Sequence, residues 1–402
     1  MLPRREETGW WAGVLALAAL LAVWADLSPL QRHHNSDSLI PVLMSLDRWT
    51  PFYWGQNRFG MILPLLALPV HDPFANLLVQ VALRLFALFL AFFLLARAVA
   101  PRPWWPAAGA VTLGLFLAGK TVEQIAFQQM QPYFQAMVLA LPGAALFDRP
   151  GGRAWRVAAG GALLVLALWV APVAFFWLVP LLVLRRLLGI APETGEGFRL
   201  RWQSLFHLHA LVPFLCAGLG FGVSLLASRL SVYHHATRFG LAPPRIWPRG
   251  WGTLAERMGG YLGPWLLLGL GVLLAAAALL AVRRRRRGWP ALAAALCLLG
   301  MAAAEVLILG TSAWVHANEL RPRFLAAALL ATATAGPVLL LGLVLEGRPL
   351  RLVRLVNAAA LAALLPLVFW RFGPPSPAAA RAGLAAGPGS ADARRLVANG
   401  CT

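Results

Sequence analysis

Three runs of about twenty mostly apolar residues, Leu208–Ala227, Tyr261–Val282 and Phe324–Leu345, constrain the fold of this chain more than any other feature. A helix rises about 1.5 Å per residue, so each run reaches across a hydrocarbon core of roughly 30 Å. A backbone in lipid must satisfy its own hydrogen bonds, which leaves helices and closed barrels as the only spanning structures. Barrel strands alternate polar and apolar positions, and these runs do not. Of the 402 residues, 60% are hydrophobic and 12% charged, whereas a soluble domain carries about a quarter charged residues. The expected fold class is all-α, a polytopic transmembrane helical bundle.

Apolar segments fall at 10–26, 75–99, 104–119, 133–147, 157–170, 171–185, 208–228, 261–282, 289–310, 324–345 and 352–370, which predicts about 10–11 spans. The stretch Val157–Leu184 is too long for one span and carries Pro172 and Pro180, so it predicts two short or broken helices that turn back within the membrane. Arg4 and Arg5 ahead of an apolar run look like the start of a signal peptide, but no small-x-small cleavage site follows. An uncleaved first helix is therefore expected. With the amino terminus cytoplasmic, one side collects Arg97, Arg102, Arg149, Arg153, Arg156, Arg185, Arg186, Arg283–Arg287, Arg348, Arg351 and Arg354. That is the positive-inside pattern of a multi-pass protein of the cell inner (plasma) membrane.

The opposite, outer side receives a first loop at 27–74, then Lys120–Pro132, Arg229–Gly260, Thr311–Arg323 and the tail at 371–402, which is rich in Ala, Gly, Pro and Arg and reads as mobile. The domain reading is one transmembrane domain over 1–370 followed by that tail. A net charge of +20 raises the question of nucleic acid. The densest basic run, Arg283–Arg287, abuts the end of a span and fits anionic lipid headgroups, and no aromatic-basic module accompanies it, so no nucleic-acid partner is expected. Cys216 and Cys297 lie inside apolar runs and Cys401 in the tail, which gives neither a disulfide framework nor a zinc site.

The outer loops hold most of the residues with chemistry. In the first, His33-His34-Asn35-Ser36-Asp37-Ser38 follows the first helix, and Leu39–Leu46 and Met61–Val70 predict short interfacial helices. Asp37 is the candidate general base, since an ionised carboxylate takes the proton from an attacking hydroxyl. Its bland alternative is a helix cap. Asp47 beside Arg48 reads as a local ion pair, and Tyr53, Gln56 and Arg58 follow. The second loop packs Glu123, Gln128 and other amides into a short stretch. Amides both donate and accept, which suits sugar hydroxyls, so Tyr53, Gln56, Glu123 and Gln128 are the candidate sugar or acceptor contacts.

The third loop holds His234, His235 and Arg238, and is basic on the side where basic residues are disfavoured. Adjacent histidines point to opposite sides of a helix or strand, so they do not chelate one metal together. A phosphate contact by His235 with Arg238 is expected instead. In the fourth loop Arg321 and Arg323 stand two residues apart at the mouth of the next helix, where two guanidinium forks grip phosphate. The alternative is that they snorkel to the headgroups.

Together, Asp37 just after the first helix, many helices with polar outer loops, and the late Arg323-Phe324-Leu325 resemble the GT-C superfamily of membrane glycosyltransferases. These take a sugar from a polyprenyl phosphate carrier, and their late helix begins Arg-Tyr-Leu. The resemblance implies Asp37 as catalytic base and Arg58, Arg238, Arg321, Arg323 and His235 around the donor phosphate. It implies a polyprenyl-phosphate-sugar donor, a glycan, lipid or protein acceptor, a GT-C-like bundle and an outward-facing active site. Many members have an Asp-Glu pair where this chain has Asp37-Ser38, so no metal or other cofactor is expected. A competing reading is a transporter or flippase for lipid-linked glycans, with Arg84 inside the second span as its best residue. A third is an acyltransferase using His34, His235 or His316.

Overall fold

The computed structural model describes residues 4–28, 36–52, 60–100, 102–119, 132–147, 154–190, 208–229, 240–283, 289–317, 319–320 and 322–378. Its regular elements are helices, with only the isolated bridges Phe52–Gly60 and Leu241–Ser312 outside them among the described residues. The helices are α1 (Arg4–Asp26), α2 (Ser36–Leu46), α3 (Ile62–Ala67), α4 (Pro73–Val99), α5 (Trp105–Ala118), α6 (Tyr133–Phe147), α7 (Ala154–Val170) and α8 (Phe175–Leu187). They continue with α9 (Leu208–Arg229), α10 (Trp247–Leu262), α11 (Pro264–Arg283), α12 (Trp289–Gly310), α13 (Ala313–Ala317), α14 (Ala326–Leu345) and α15 (Leu350–Phe372).

Among the described residues, five helices, α1, α4, α12, α14 and α15, are long and apolar enough to cross a membrane, or up to seven spans if each of two bent pairs counts as one. The expectation of 10–11 spans is thus only partly met, for a reason of length. Helices α5 and α6 have 14 and 15 residues, and at about 1.5 Å per residue each falls short of a full hydrocarbon core. The break expected at Pro172 is present: the chain bends by 120° between α7 and α8. Pro172 starts the single 3-10 turn between them, because proline lacks the N–H that a continuing helix needs.

The second bend corrects the sequence reading. Residues 247–260 are expected as loop, but they belong to α10, which lies at 93° to α11. Pro248 sits in its first turn, where a missing N–H costs nothing. Gly263 ends it with φ 77°, a left-handed conformation that a side chain disfavours.

Helix α4 is the hub of the packing, touching α1, α2, α3, α5, α6 and α14. Its Leu85, Leu88, Phe89, Phe92, Phe93 and Leu95 are almost wholly enclosed. Helices α12 and α14 pair along their lengths, as do α6 and α7. By contrast, α1 and α15 keep large apolar side chains such as Leu20, Val23, Leu355 and Trp370 on the outside. In a membrane protein that pattern marks the faces that meet lipid.

Candidate functional site

One end of the bundle carries the charged clasps and the other the loops. At the first, Arg97 binds Glu7 at 2.7 Å, Arg354 binds Glu6 at 2.6 Å, and Arg102 lies 3.8 Å from Glu346. These pairs join the start of α1 to α4 and α15, and the end of α14 to the start of α5. At the opposite end, the Trp24 indole donates to the Gly373 carbonyl at 2.8 Å and the Ser376 N–H to the Leu27 carbonyl at 2.9 Å, tying α1 to α15.

The described parts of the first loop lie at this second end, packed on α4. Its two short helices are held on α4 by a pair of amides, Asn76 and Gln80, both fully enclosed. The Ser45 hydroxyl donates to Asn76 Oδ1 at 2.8 Å, and Gln80 Nε2 donates to the Pro41 carbonyl at 3.0 Å, which fixes α2. Asn76 Nδ2 donates to the carbonyls of Ala67 and Val70 at 3.0 and 2.8 Å, which fixes the end of α3. Buried amides are costly unless bonded, so this network sets one register. The loop returns at Gly60, whose N–H donates to the Trp169 carbonyl at 2.9 Å at the tip of α7. A side chain at Gly60 would collide with the Trp169 ring, so the approach requires glycine.

The third and fourth loops meet each other. The Ala242 N–H donates to the Thr311 carbonyl at 2.8 Å, and the Ala313 N–H to the Gly240 carbonyl at 2.9 Å. Helix α10 crosses the end of α12 at Gly250 and Gly310, each of which leaves no room for a Cβ. The Trp251 indole donates to the Leu307 carbonyl at 2.9 Å, and Arg257 donates to the Leu320 carbonyl at 2.8 Å. Glu319 and Leu320 both hold positive φ, 60° and 52°, a strained choice for residues with side chains. Phe324 packs its ring 4.5 Å from that of Trp314 and is buried. His316 Nε2 donates to the Gly310 carbonyl at 2.8 Å, a structural bond that occupies this ring nitrogen.

Against this frame the expected site residues fall as follows. Asp37 is the second residue of α2, inside its first turn rather than ahead of it, and Arg323 lies in the 3-10 turn Pro322–Leu325 that leads into α14. Their side chains lie outside the described atoms, and so do Tyr53, Gln56, Arg58, Glu123, Gln128, His235, Arg238 and Arg321 altogether. The structure therefore sets loop one at the same end of the bundle as loops three and four, opposite the ion-paired end, and joins loops three and four to each other.

Three further charged residues lie within the helices here. Asp26 ends α1 and Arg84 sits on α4, both buried and interacting electrostatically. Arg84 Nε has no hydrogen-bond partner. Glu305 on α12, 1% exposed, accepts the N–H of Ala328 in the first turn of α14 and leaves its Oε2 without a partner. Leu325 caps that helix without a side-chain bond, so Glu305 supplies from another helix the acceptor that the first-turn N–H lacks. Sequence reasoning passed over Asp26 and Glu305, although an acid in or at the end of an apolar run was a usable signal. Among the described residues no group of three His, Cys, Asp or Glu is placed to hold a metal. Comparison with known protein families, curated proteins and solved structures gives no match.

Proposed function

We propose that this chain is a GT-C-type glycosyltransferase of the plasma membrane, transferring a sugar from a polyprenyl phosphate to a glycan, lipid or protein acceptor at the outer face. The observation that supports it most is that α2, which carries Asp37, and the turn into α14, which carries Arg323, lie at the same end of the bundle, opposite the Arg97–Glu7 and Arg102–Glu346 pairs. In this reading the acceptor hydroxyl attacks the anomeric carbon and the bond to the phosphate oxygen breaks. The hydroxyl proton passes to the Asp37 carboxylate. The polyprenyl phosphate leaves with a growing negative charge that Arg58, Arg238, Arg321, Arg323 and His235 stabilise. Tyr53, Gln56, Glu123 and Gln128 bind sugar or acceptor hydroxyls, and exposed apolar helix faces take the prenyl chain. The chemistry calls on no metal or cofactor.

A second reading, a transporter or flippase of lipid-linked glycans, is favoured by the buried charges Asp26, Arg84 and Glu305, because ionisable groups within a bundle line substrate routes in transporters. One experiment separates the two. Purified protein in proteoliposomes is given polyprenyl-phosphate sugars with a radiolabelled sugar. Transfer yields free polyprenyl phosphate and label on an acceptor, whereas translocation moves the intact lipid-linked sugar across the bilayer. Movement without bond cleavage would overturn the transferase reading.

A further inference from the structure

Helix α13 closes in a Schellman turn without the glycine that such turns usually carry. The Leu320 N–H donates to the Val315 carbonyl at 2.9 Å and the Glu319 N–H to the His316 carbonyl at 3.0 Å. That pair of bonds calls for one left-handed residue just past the helix cap. Glu319 takes the place with φ 60°, and Leu320 follows with φ 52°, a second left-handed residue that the closing bonds do not require. Backbone of this kind persists only where its surroundings over-determine it, and it gathers at ligand sites.

Two groups hold Leu320. Its side chain is buried, and its carbonyl accepts from Arg257 Nη1 at 2.8 Å. Arg257 belongs to α10, which is itself fixed on α12 by the crossing at Gly250 and Gly310 and by the Trp251 bond to the Leu307 carbonyl. Both α10 and α12 also pack against the 3-10 turn Pro322–Leu325, which starts two residues after Leu320 and carries Arg323. Within that turn Phe324 is buried against the Trp314 ring of α13. The backbone at Arg323 is thus anchored through Phe324 after it and through the Arg257 bond before it. A guanidinium bond to a carbonyl is charge-assisted and holds more firmly than a neutral one. Arg257 is also basic on the side of the membrane where basic residues are disfavoured.

We propose that Arg257 is a positioning residue for the donor phosphate: by holding the Leu320 carbonyl it keeps loop four in the left-handed turn that leads into Arg323. The anion site is then built by loop three as well as loop four, and it is ordered before its ligand arrives, so binding does not bear the cost of ordering it. This rests on the reading of Arg323 as a phosphate contact.

The test is binding of radiolabelled polyprenyl phosphate, with no sugar attached, to the purified protein in nanodiscs, read beside hydrogen exchange of the loop. Arg257→Met keeps the apolar stem and removes the donors. Binding then weakens by about tenfold, the order expected for one charge-assisted bond, and the amides of Leu320 and of residues 323–325 exchange faster. Arg257→Lys returns an N–H donor to the Leu320 carbonyl and restores both. In an Arg323→Ala background, Arg257→Met weakens binding no further, because the turn has nothing left to position. A direct phosphate contact by Arg257 would instead add its loss in full, and that additivity overturns the proposal. Faster exchange with unchanged binding, the mark of a merely structural bond, overturns it as well, and so does a variant that matches the wild type in both. Where Arg257→Met is not recovered folded, Arg257→Gln, a neutral side chain too short to span the gap, is read in the same way. Failure of the underlying reading is seen separately, as no binding by the wild type or undiminished binding by Arg323→Ala, either of which takes the phosphate away from this turn before Arg257 is varied.

Discussion

At the scale of single residues, the arginines ahead of α14 give the sharpest expectation. If Arg321 and Arg323 grip the donor phosphate, changing either to Ala weakens use of the lipid-linked donor. A charge-assisted contact is worth about 1.5–3 kcal/mol, so the loss is roughly ten- to a hundredfold in kcat/KM. Lys restores part of it, because an ammonium lacks the planar fork. Donor titrations on the purified variants read this directly, and full activity with Lys at both positions would make the pair membrane anchors. Candidate chemistry at this scale was legible from residue type and place: Asp37 and Arg323 stood out as polar groups at the mouths of apolar runs. Asp26, Glu305 and the amides Asn76 and Gln80 did not, because a single polar residue in an apolar run shows its partner only when another helix is laid against it. Ser45, the donor to Asn76, is thirty-one residues away.

At the scale of elements, the apolar runs located the helices well, since hydropathy reports burial in lipid regardless of tertiary context. Proline marked the α7–α8 break for the same local reason. Helix α10 was hidden because its Pro, Gly, Trp and Arg content reads as loop, and what makes it a helix is contact with the end of α12. Gly250 and Gly310 allow that contact, and Val at either position forces α10 away. The expected cost is about 1–3 kcal/mol, as for other overpacked sites, seen as a lower unfolding midpoint in detergent. The two amides of α4 make the parallel case for the first loop. Asn76→Ala removes the side-chain donor to the Val70 carbonyl, leaves the Ala67 carbonyl only the Val70 N–H and frees α3 and α2 from their register, so faster backbone hydrogen exchange in 36–46 and 62–67 is expected, with the core of α4 unchanged.

At the scale of the whole molecule, the helix ends sort consistently: acid–arginine pairs join the starts of α1, α5 and α15 to the ends of α4 and α14, while loops one, three and four lie at the other end. With the basic end cytoplasmic, single cysteines near Gln129, Trp247 and Asn318 react with an impermeant reagent added outside, and one beside Arg285 does not. Labelling at 285 from outside would reverse the orientation. The central claim is sugar transfer with Asp37 as its base, and the most direct measurement is release of polyprenyl phosphate by purified wild-type protein and its Asp37→Asn variant, matched for yield and melting temperature. The account predicts release and acceptor labelling by the wild type and none above background by the variant, whose amide keeps the shape of the side chain but cannot take the proton. Near-normal release by Asp37→Asn would contradict it.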